Sequence, residues 1–313
     1  MLGKTAGGLY WLFRYMERSE NLARLISAGQ RIALTRSSNA PDEWDSIVAT
    51  AGVRDAYLRK YDTFEGDLVI DFILRDPDNP SSVLSVIEGA RNNARTVRTA
   101  LTREVWEAVN ECWMVLCDAL ARKVPDRDLP FVLSTIRQRS AFVRGAMHGT
   151  MVRNDSYDFA RIGTFIERAD STARILDVKY YVLLPSAHHV GTSIDNVQWE
   201  TILRSVSADG SFRYLHGSET KPLQIAEFLT MDRRLPRSLA FCYAKICANL
   251  GYLETDYKLR LPCHDTADEI YHRFREGSID AIFEKGLHEF LQTFIHDNNA
   301  LGQQIEADYR FTG

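Results

Sequence analysis

Two eleven-residue segments carry the charged residues best placed to do chemistry. Tyr15 to Leu25 reads YMERSENLARL, and Phe165 to Ile175 reads FIERADSTARI. At about 100° per residue, Glu17, Glu20 and Arg24 fall on one helix face within about 60° of each other. Glu167, Asp170 and Arg174 do the same. This acid–acid–base face is expected opposite an apolar stripe, with Arg18 and Arg168 near the stripe's edge. Glu20 to Arg24 and Asp170 to Arg174 are favourable i,i+4 ion pairs. Glu17 with Glu20, and Glu167 with Asp170, are like-charge i,i+3 pairs that cost a few tenths of a kcal/mol unless a cation lies between them. Three readings follow. The charges are buried ion pairs that hold helices in register. Or they line a polar site in which Arg18, Arg24, Arg168 and Arg174 hold carboxylate or phosphate groups. Or Glu17, Glu20 and their counterparts hold a hard cation.

Other constellations are weaker. Gly3-Lys4-Thr5 echoes the end of a phosphate loop but lacks the upstream glycines and strand. Glu269 and His272 have the Glu-x-x-His spacing of helical di-iron sites, yet no second such pair exists. His188-His189 sits in a connector flanked by Pro and Gly, where loop histidines are usually just exposed. Cys263-His264 follows Pro262 in an expected loop, and adjacent side chains rarely point together. The cysteines at 112, 117, 242, 247 and 263 are odd in number and match no zinc spacing. They read as small core residues. There is no nucleophile elbow and no Gly-rich dinucleotide fingerprint. No cofactor, metal or catalytic residue is therefore assigned.

The elements that must position these charges are helices. Apolar or small residues recur three and four apart, as in Leu12, Tyr15, Met16, Ser19, Leu22, Ala23 and Ile26, and in Ile162, Phe165, Ile166, Ala169, Thr172, Ala173 and Leu176. Helices are predicted over 9–34, 42–51, 81–99, 102–122, 129–150, 156–184, 195–206, 222–230, 236–253, 266–275 and 278–309. The segment 64–74 resembles a strand, but its counterpart in the repeat below argues for helix. Connectors are expected at Ser37 to Pro41, Asp76 to Pro80, Lys123 to Pro130, Pro185 to Thr192, Ser207 to Ser211 and Leu261 to Thr266. The fold class is all-α.

The chain also repeats itself. Glu17, Arg18, Ala23 and Arg24 recur as Glu167, Arg168, Ala173 and Arg174 at an offset of 150. Trp44 to Val48 matches Trp199 to Leu203 at an offset of 155. Phe72, Asp76, Pro80, Ser82 and Val83 match Phe228, Asp232, Pro236, Ser238 and Leu239 at an offset of 156. Three collinear matches imply two helical halves, 1–150 and 151–313, forming one unit and facing each other about a pseudo-twofold axis. Trp44 and Trp199 read as packing aromatics. Asp76, Ser82, Asp232 and Ser238 read as caps and turns.

Composition narrows the function. Of 313 residues, 45 % are hydrophobic and 26 % charged, values of an ordinary globular chain. Lys+Arg of 38 against Asp+Glu of 42 gives a net charge of −4, without the basic excess of a general nucleic-acid binder. No apolar run approaches the roughly 20 residues that span a bilayer. Leu9 to Phe13 is too short for a signal-peptide core and is followed at once by charges. A soluble, cytoplasmic protein is expected.

The segments Leu9-Tyr10-Trp11-Leu12, Glu17-Arg18-Ser19-Glu20-Asn21, Ala23-Arg24 and Gly163 with Glu167 to Asp177 resemble the alpha-E family, a bacterial all-helical family named for its Glu-Arg motif. Asn79-Pro80-Ser81-Ser82 and Asn93-Ala94-Arg95 resemble its middle region. Phe13 departs from the Gly that Gly163 supplies in the second copy, and Gly7-Gly8 stands where a more polar pair is usual. The resemblance implies a link to a circularly permuted ATP-grasp protein, often with a transglutaminase-like protease nearby. It implies no catalytic residue. The leading expectation is a helical accessory or substrate-holding partner of an ATP-grasp-type amide or peptide ligase. Its binding faces would be Glu17, Arg18, Glu20, Arg24, Glu167, Arg168, Asp170 and Arg174. The alternatives are a stand-alone enzyme acting on a small carboxylate- or amine-bearing intermediate, and a pure helical scaffold.

Overall fold

The longest helix, α1 (Gly3–Thr35), and its neighbour α8 (Asp155–Val182) carry the two Glu-Arg segments and pack along each other. The computed structural model describes residues 1–35, 40–182, 193–217 and 221–311. Among them are fifteen α-helices, one 3-10 turn and no strand. The chain between the central pair forms α2 (Ala40–Thr50), α3 (Arg54–Leu58), α4 (Gly66–Arg75), α5 (Val83–Thr96), α6 (Arg103–Ala119) and α7 (Leu129–Thr150). After α8 come α9 (Ser193–Ser205), α10 (Asp209–His216), α11 (Pro222–Thr230), α12 (Leu239–Tyr257), α13 (Pro262–Glu276), α14 (Ile279–Lys285) and α15 (Leu287–Asp308).

The apolar interior falls into two clusters. One joins Leu12, Phe13 and Met16 of α1 to Trp44, Phe72, Ile87, Val109, Leu133 and Val143. The other joins Ile162 and Ile166 of α8 to Trp199, Phe228, Tyr243, Ile246, Leu291 and Ile305. Leu9 and Tyr10 of α1 belong to the second cluster, and Tyr157 and Ala160 of α8 to the first. The central helices are thus covered on nearly every side. Where they cross, their backbones touch. A Cβ built on Gly163 would lie 2.2 Å from the Tyr10 carbonyl oxygen, so only glycine fits there. Phe13, at the matching position of the first segment, is instead buried in the first cluster.

The helix starts follow local chemistry. Ser82 accepts a hydrogen bond from the Ser85 amide and caps α5. Ser238 accepts from the Phe241 amide and caps α12. Asp76 and Asp232 do not cap helices; they accept from the amides of Asp78 (2.9 Å) and Arg234 (2.7 Å) and so close turns. Trp44 is buried against Gly66 and Gly29, and Trp199 is buried in the second cluster.

Several boundaries differ from expectation: α1 starts at Gly3 rather than at 9, α3 falls where no helix is expected, and three others change the connectors. The Leu261 to Thr266 stretch is not a connector. Pro262 presets the first turn of α13, and the His264 ring accepts from the Leu261 amide at 3.1 Å. The single helix expected over 278–309 is broken at Gly286, whose φ of 101° ends α14 and starts α15. Helix α10 begins inside the expected Ser207 to Ser211 connector. The His188-His189 pair lies outside the described residues.

Candidate binding site between the two Glu-Arg helices

Glu17 and Glu20 do not lie on a solvated face. Each is 1 % exposed, because α7, α8 and the turn before α12 close over the side of α1 expected to face water. Buried carboxylates need charged partners, and arginines supply them. Arg168 of α8 donates from Nε to Glu17 Oε1 at 2.9 Å and from Nη2 to Oε2 at 2.8 Å. Arg18 of α1 returns the same fork to Glu167, from Nε to Oε1 at 2.5 Å and from Nη2 to Oε2 at 2.9 Å. Each Glu-Arg pair is therefore exchanged: the Glu of one helix binds the Arg of the other.

The like-charge pairs are bridged. Arg144 of α7 reaches Glu17 at 3.2 Å and Glu20 at 2.7 Å with one nitrogen. Its helix is held to α1 by the Ser140 hydroxyl, which donates to the Met16 carbonyl. Arg237, just before the cap of α12, reaches Glu17 at 3.2 Å and Glu20 at 2.6 Å. Arg24 donates to Glu20 from Nε at 3.1 Å and Nη2 at 2.6 Å, and to the Ser207 hydroxyl. Four guanidinia thus enclose two carboxylates. The metal reading of Glu17 and Glu20 fails on this geometry, since guanidinia occupy their oxygens. Among the described residues no group of three or more His, Cys, Asp or Glu could hold a metal ion.

The second acid pair is less enclosed. Arg14 donates to Glu167 at 3.0 Å and stacks its guanidinium 4.5 Å from the Trp11 ring. Arg174 donates to Asp170 Oδ2 at 2.6 Å. Among the described residues no guanidinium bridges Glu167 to Asp170. Instead a cavity of about 200 Å³ opens there, lined by Arg18, Asn21, Asp170, Arg174, Ser81 and Asn299 among others. Two buried polar atoms on its lining residues have no partner: the Asn21 amide nitrogen and Asp170 Oδ1. Asn21 Oδ1 accepts from Arg237 at 3.1 Å, which fixes the amide's orientation and leaves Nδ2 as the orphan donor. Ser81 and Arg237 each directly precede the serine that caps the next helix. Arg237 fills the first acid site with its guanidinium, whereas the short Ser81 leaves the second open.

The charges respond to this packing. Burial alone would raise the Glu167 carboxyl, but Arg18 and Arg14 bring it down to about 2. Burial likewise opposes ionisation of Glu17, and Arg168, Arg237 and Arg144 overcome it and hold the carboxyl well below its usual range. Arg237 pays for its position: burial, set against Glu17 but reinforced by Arg168, lowers its guanidinium to about 10.

All eight sequence-predicted residues thus meet at the α1–α8 seam, as two clusters with different closures. Sequence reasoning missed Arg14, Asn21, Arg144 and Arg237. Repetition picks out residues that recur, and these do not: Thr164 and Ser81 stand in the places of Arg14 and Arg237. The other described candidates lie away from this seam. Cys263 and His264 are buried on the first turn of α13, not in a loop, and the thiol comes within 3.6 Å of Nδ1. Burial, with Asp308 nearby, pushes that thiol up, while the ring is held by Leu250 and Leu261, so no thiolate nucleophile is prepared. Glu269 and His272 are exposed, and His272 pairs with Glu276. Gly3 packs against the Arg310 carbonyl at the first turn of α1, which is no phosphate loop.

An all-helical body whose two central helices exchange Glu-Arg pairs is the class this geometry defines. The chain belongs to the Alpha-E family, described as a predicted alpha-helical domain with a conserved ER motif, which matches residues 1–309. Similar curated proteins are uncharacterised ones from Mycobacterium bovis and from two strains of Mycobacterium tuberculosis. Each is 24 % identical over 274 residues, covering 79 % of this chain and 29 % of the relative. The chain thus spans less than a third of the length of those relatives. No solved structure matches it. No helix among the described residues is long and apolar enough to cross a membrane.

Proposed function

We propose that the protein is a non-catalytic helical partner of an ATP-grasp-type amide or peptide ligase, and that it holds the ligase's small acceptor or product beside Asp170. The observation that supports this reading is the cavity at the second acid site. It offers an unpartnered buried acceptor, Asp170 Oδ1, and an unpartnered buried donor, Asn21 Nδ2, next to the guanidinia of Arg18 and Arg174. A molecule carrying an amine and a carboxylate satisfies both atoms and both signs of charge. Amines and carboxylates are what an amide ligase joins. A helical scaffold that binds nothing small has no use for such a polar hollow, whose two orphan atoms each cost about 1–3 kcal/mol.

The link to an ATP-grasp protein rests on the family resemblance, and so does the secondary association with a transglutaminase-like protease. The duplicated halves, the cytoplasmic location and the absence of nucleic-acid and membrane partners belong to the same proposal. The reciprocal forks at Glu17 and Glu167 support the two-half reading.

The test is to mix the purified protein with the ATP-grasp ligase of the same genome at micromolar concentration. The expected result is co-elution on a sizing column and faster amide formation by the ligase, with no ATP hydrolysis by the helical protein alone. Separate elution together with an unchanged ligase rate would overturn the proposal. Turnover of an amine- or carboxylate-bearing substrate by the helical protein alone would favour the enzyme reading.

A further inference from the structure

A second cavity, of about 440 Å³, lies between α8 and α12, away from the Glu-Arg seam. The two helices run antiparallel. The Tyr257 hydroxyl donates to Asp155 at 2.8 Å, and the Phe241 ring lies 6.0 Å from that of Phe165. Walking α12 backwards therefore means walking α8 forwards. From α12 to α8 and back the charges follow in the order Asp256, Asp158, Arg161, Lys245, with Asp158 and Arg161 only one turn, about 4.5 Å of rise, apart on α8. From Asp256 to Lys245 the rise along the helix is about 16 Å.

These charges make no close ion pair, in contrast to those at the seam, although Arg161 stands one helical turn from Asp158 and its Nη1 lies 3.4 Å from His148 Nε2. None of Asp158, Asp256, Arg161 and Lys245 forms an ion pair with another described residue. Asp158 is only 4 % exposed, and its carboxyl accepts no hydrogen bond from a described residue. The Arg161 Nε–H is buried without a partner, and the guanidinium rests 4.7 Å from the Phe165 ring. The Lys245 ammonium has the Phe241 ring at 5.2 Å. Arg153 closes one wall but is already used: it donates to the Met151 and His148 carbonyls and stacks on Tyr157. A buried carboxyl that accepts no hydrogen bond and a buried guanidinium N–H without a partner among the described residues are costly unless something completes them.

We propose that this cavity is a separate ligand site for a short zwitterionic peptide, with the peptide's ammonium at Asp158 and Asp256 and its carboxylate at Arg161 and Lys245. The order of charges along the two helices fixes the direction, N-terminus towards the Asp end. A chain of three residues, at about 3.3 Å each, spans about 10 Å and fits within the 16 Å rise. Tyr252, exposed at the rim, offers a ring to the peptide's side chains.

Trialanine with free ends is the probe, titrated into the full chain by calorimetry and by amide NMR. Saturable binding is expected, weakened about tenfold or more by N-acetylation and likewise by C-terminal amidation, because each removes a charge-assisted contact. Asp158→Asn should weaken trialanine but leave the N-acetyl form unchanged. Lys245→Gln should weaken trialanine but leave the amide unchanged. If Asp158→Asn does not fold, the exposed Asp256→Asn serves in its place. Shifts at Tyr252 and Thr255 should mark the site, and Ser81→Arg, which alters only the seam cavity, should leave the titration intact. No binding at millimolar trialanine, or binding indifferent to both end-blocks, overturns the proposal.

Discussion

Glu17 of α1 and Arg168 of α8 are joined by two parallel hydrogen bonds of 2.9 and 2.8 Å, and Arg18 and Glu167 are joined in the same way with the helices' roles reversed. The exchange makes each motif depend on the other. Neither helix can shift by a turn without breaking both forks, which is the register function best attested for buried ion pairs. The pairs specify the packing of α1 on α8; their net contribution to stability is small beside that of the apolar clusters.

Breaking one fork leaves a buried charge without its bidentate partner, although Arg144 and Arg237 still touch Glu17. Arg168→Gln is expected to destabilise the protein by about 3–5 kcal/mol, and Glu17→Gln by a similar amount. The double variant should lose less than the sum, because neither residual amide is charged. Urea unfolding of the four proteins measures the coupling. Additive losses would show that the two side chains do not act as a pair.

Acid should undo the seam. The Glu167 carboxyl is held at about 2 in the folded chain, below its value when unfolded, so the unfolded state binds the proton first. Its contribution is complete above the unfolded value of about 4.5 and is lost as pH falls from there towards about 2. Unfolding midpoints measured down this range should fall more steeply for the wild type than for Glu167→Gln.

Gly163→Ala places a methyl group 2.2 Å from the Tyr10 carbonyl oxygen, and the two central helices must part to admit it. A loss of about 2–4 kcal/mol is expected, as for overpacking against a rigid neighbour. Gly145→Ala is the control: its Cβ meets nothing within 4 Å on α7, and helix propensity should make it neutral or stabilising by about 0.5–1 kcal/mol. Equal melting temperatures for the two variants would contradict the close approach.

Asp158 behaves in the opposite sense to Glu167. Burial, reinforced by Asp256 and Asp155 and opposed by Arg161, pushes its carboxyl up to about 7. A raised carboxyl favours folding fully only below the unfolded value of about 3.8, and that advantage is lost as pH rises through about 7. Asp158→Asn should therefore stabilise the protein by about 1–2 kcal/mol near pH 8, after allowance for solvent reaching the cavity. The gain should shrink towards pH 4, a trend that denaturant midpoints across this range would show.

The helical fold was legible because the three-and-four spacing of apolar residues survives along most of the chain. The ends were harder. Pro262 begins a helix where proline read as punctuation, and Gly286 breaks one whose apolar period runs straight through it. The site was half legible. The motif named the eight residues that meet, but a helical wheel assumes one wet face, and α1 has almost none near Glu17 and Glu20. Arg144 and Arg237 arrive from distant segments, so no local spacing announces them. The asymmetry between the two acid sites turns on Arg237 against Ser81, a difference that becomes meaningful only when the cavity is seen.

That difference also supplies the most direct measurement. Ser81→Arg places a guanidinium where Arg237 closes the other acid site, filling the cavity beside Asp170 while keeping the Ser82 cap. The melting temperature should stay level or rise, the ligase should still bind, and the stimulation of amide formation should fall about tenfold or more. A folded Ser81→Arg protein that supports the ligase as well as the wild type would contradict a role for this cavity.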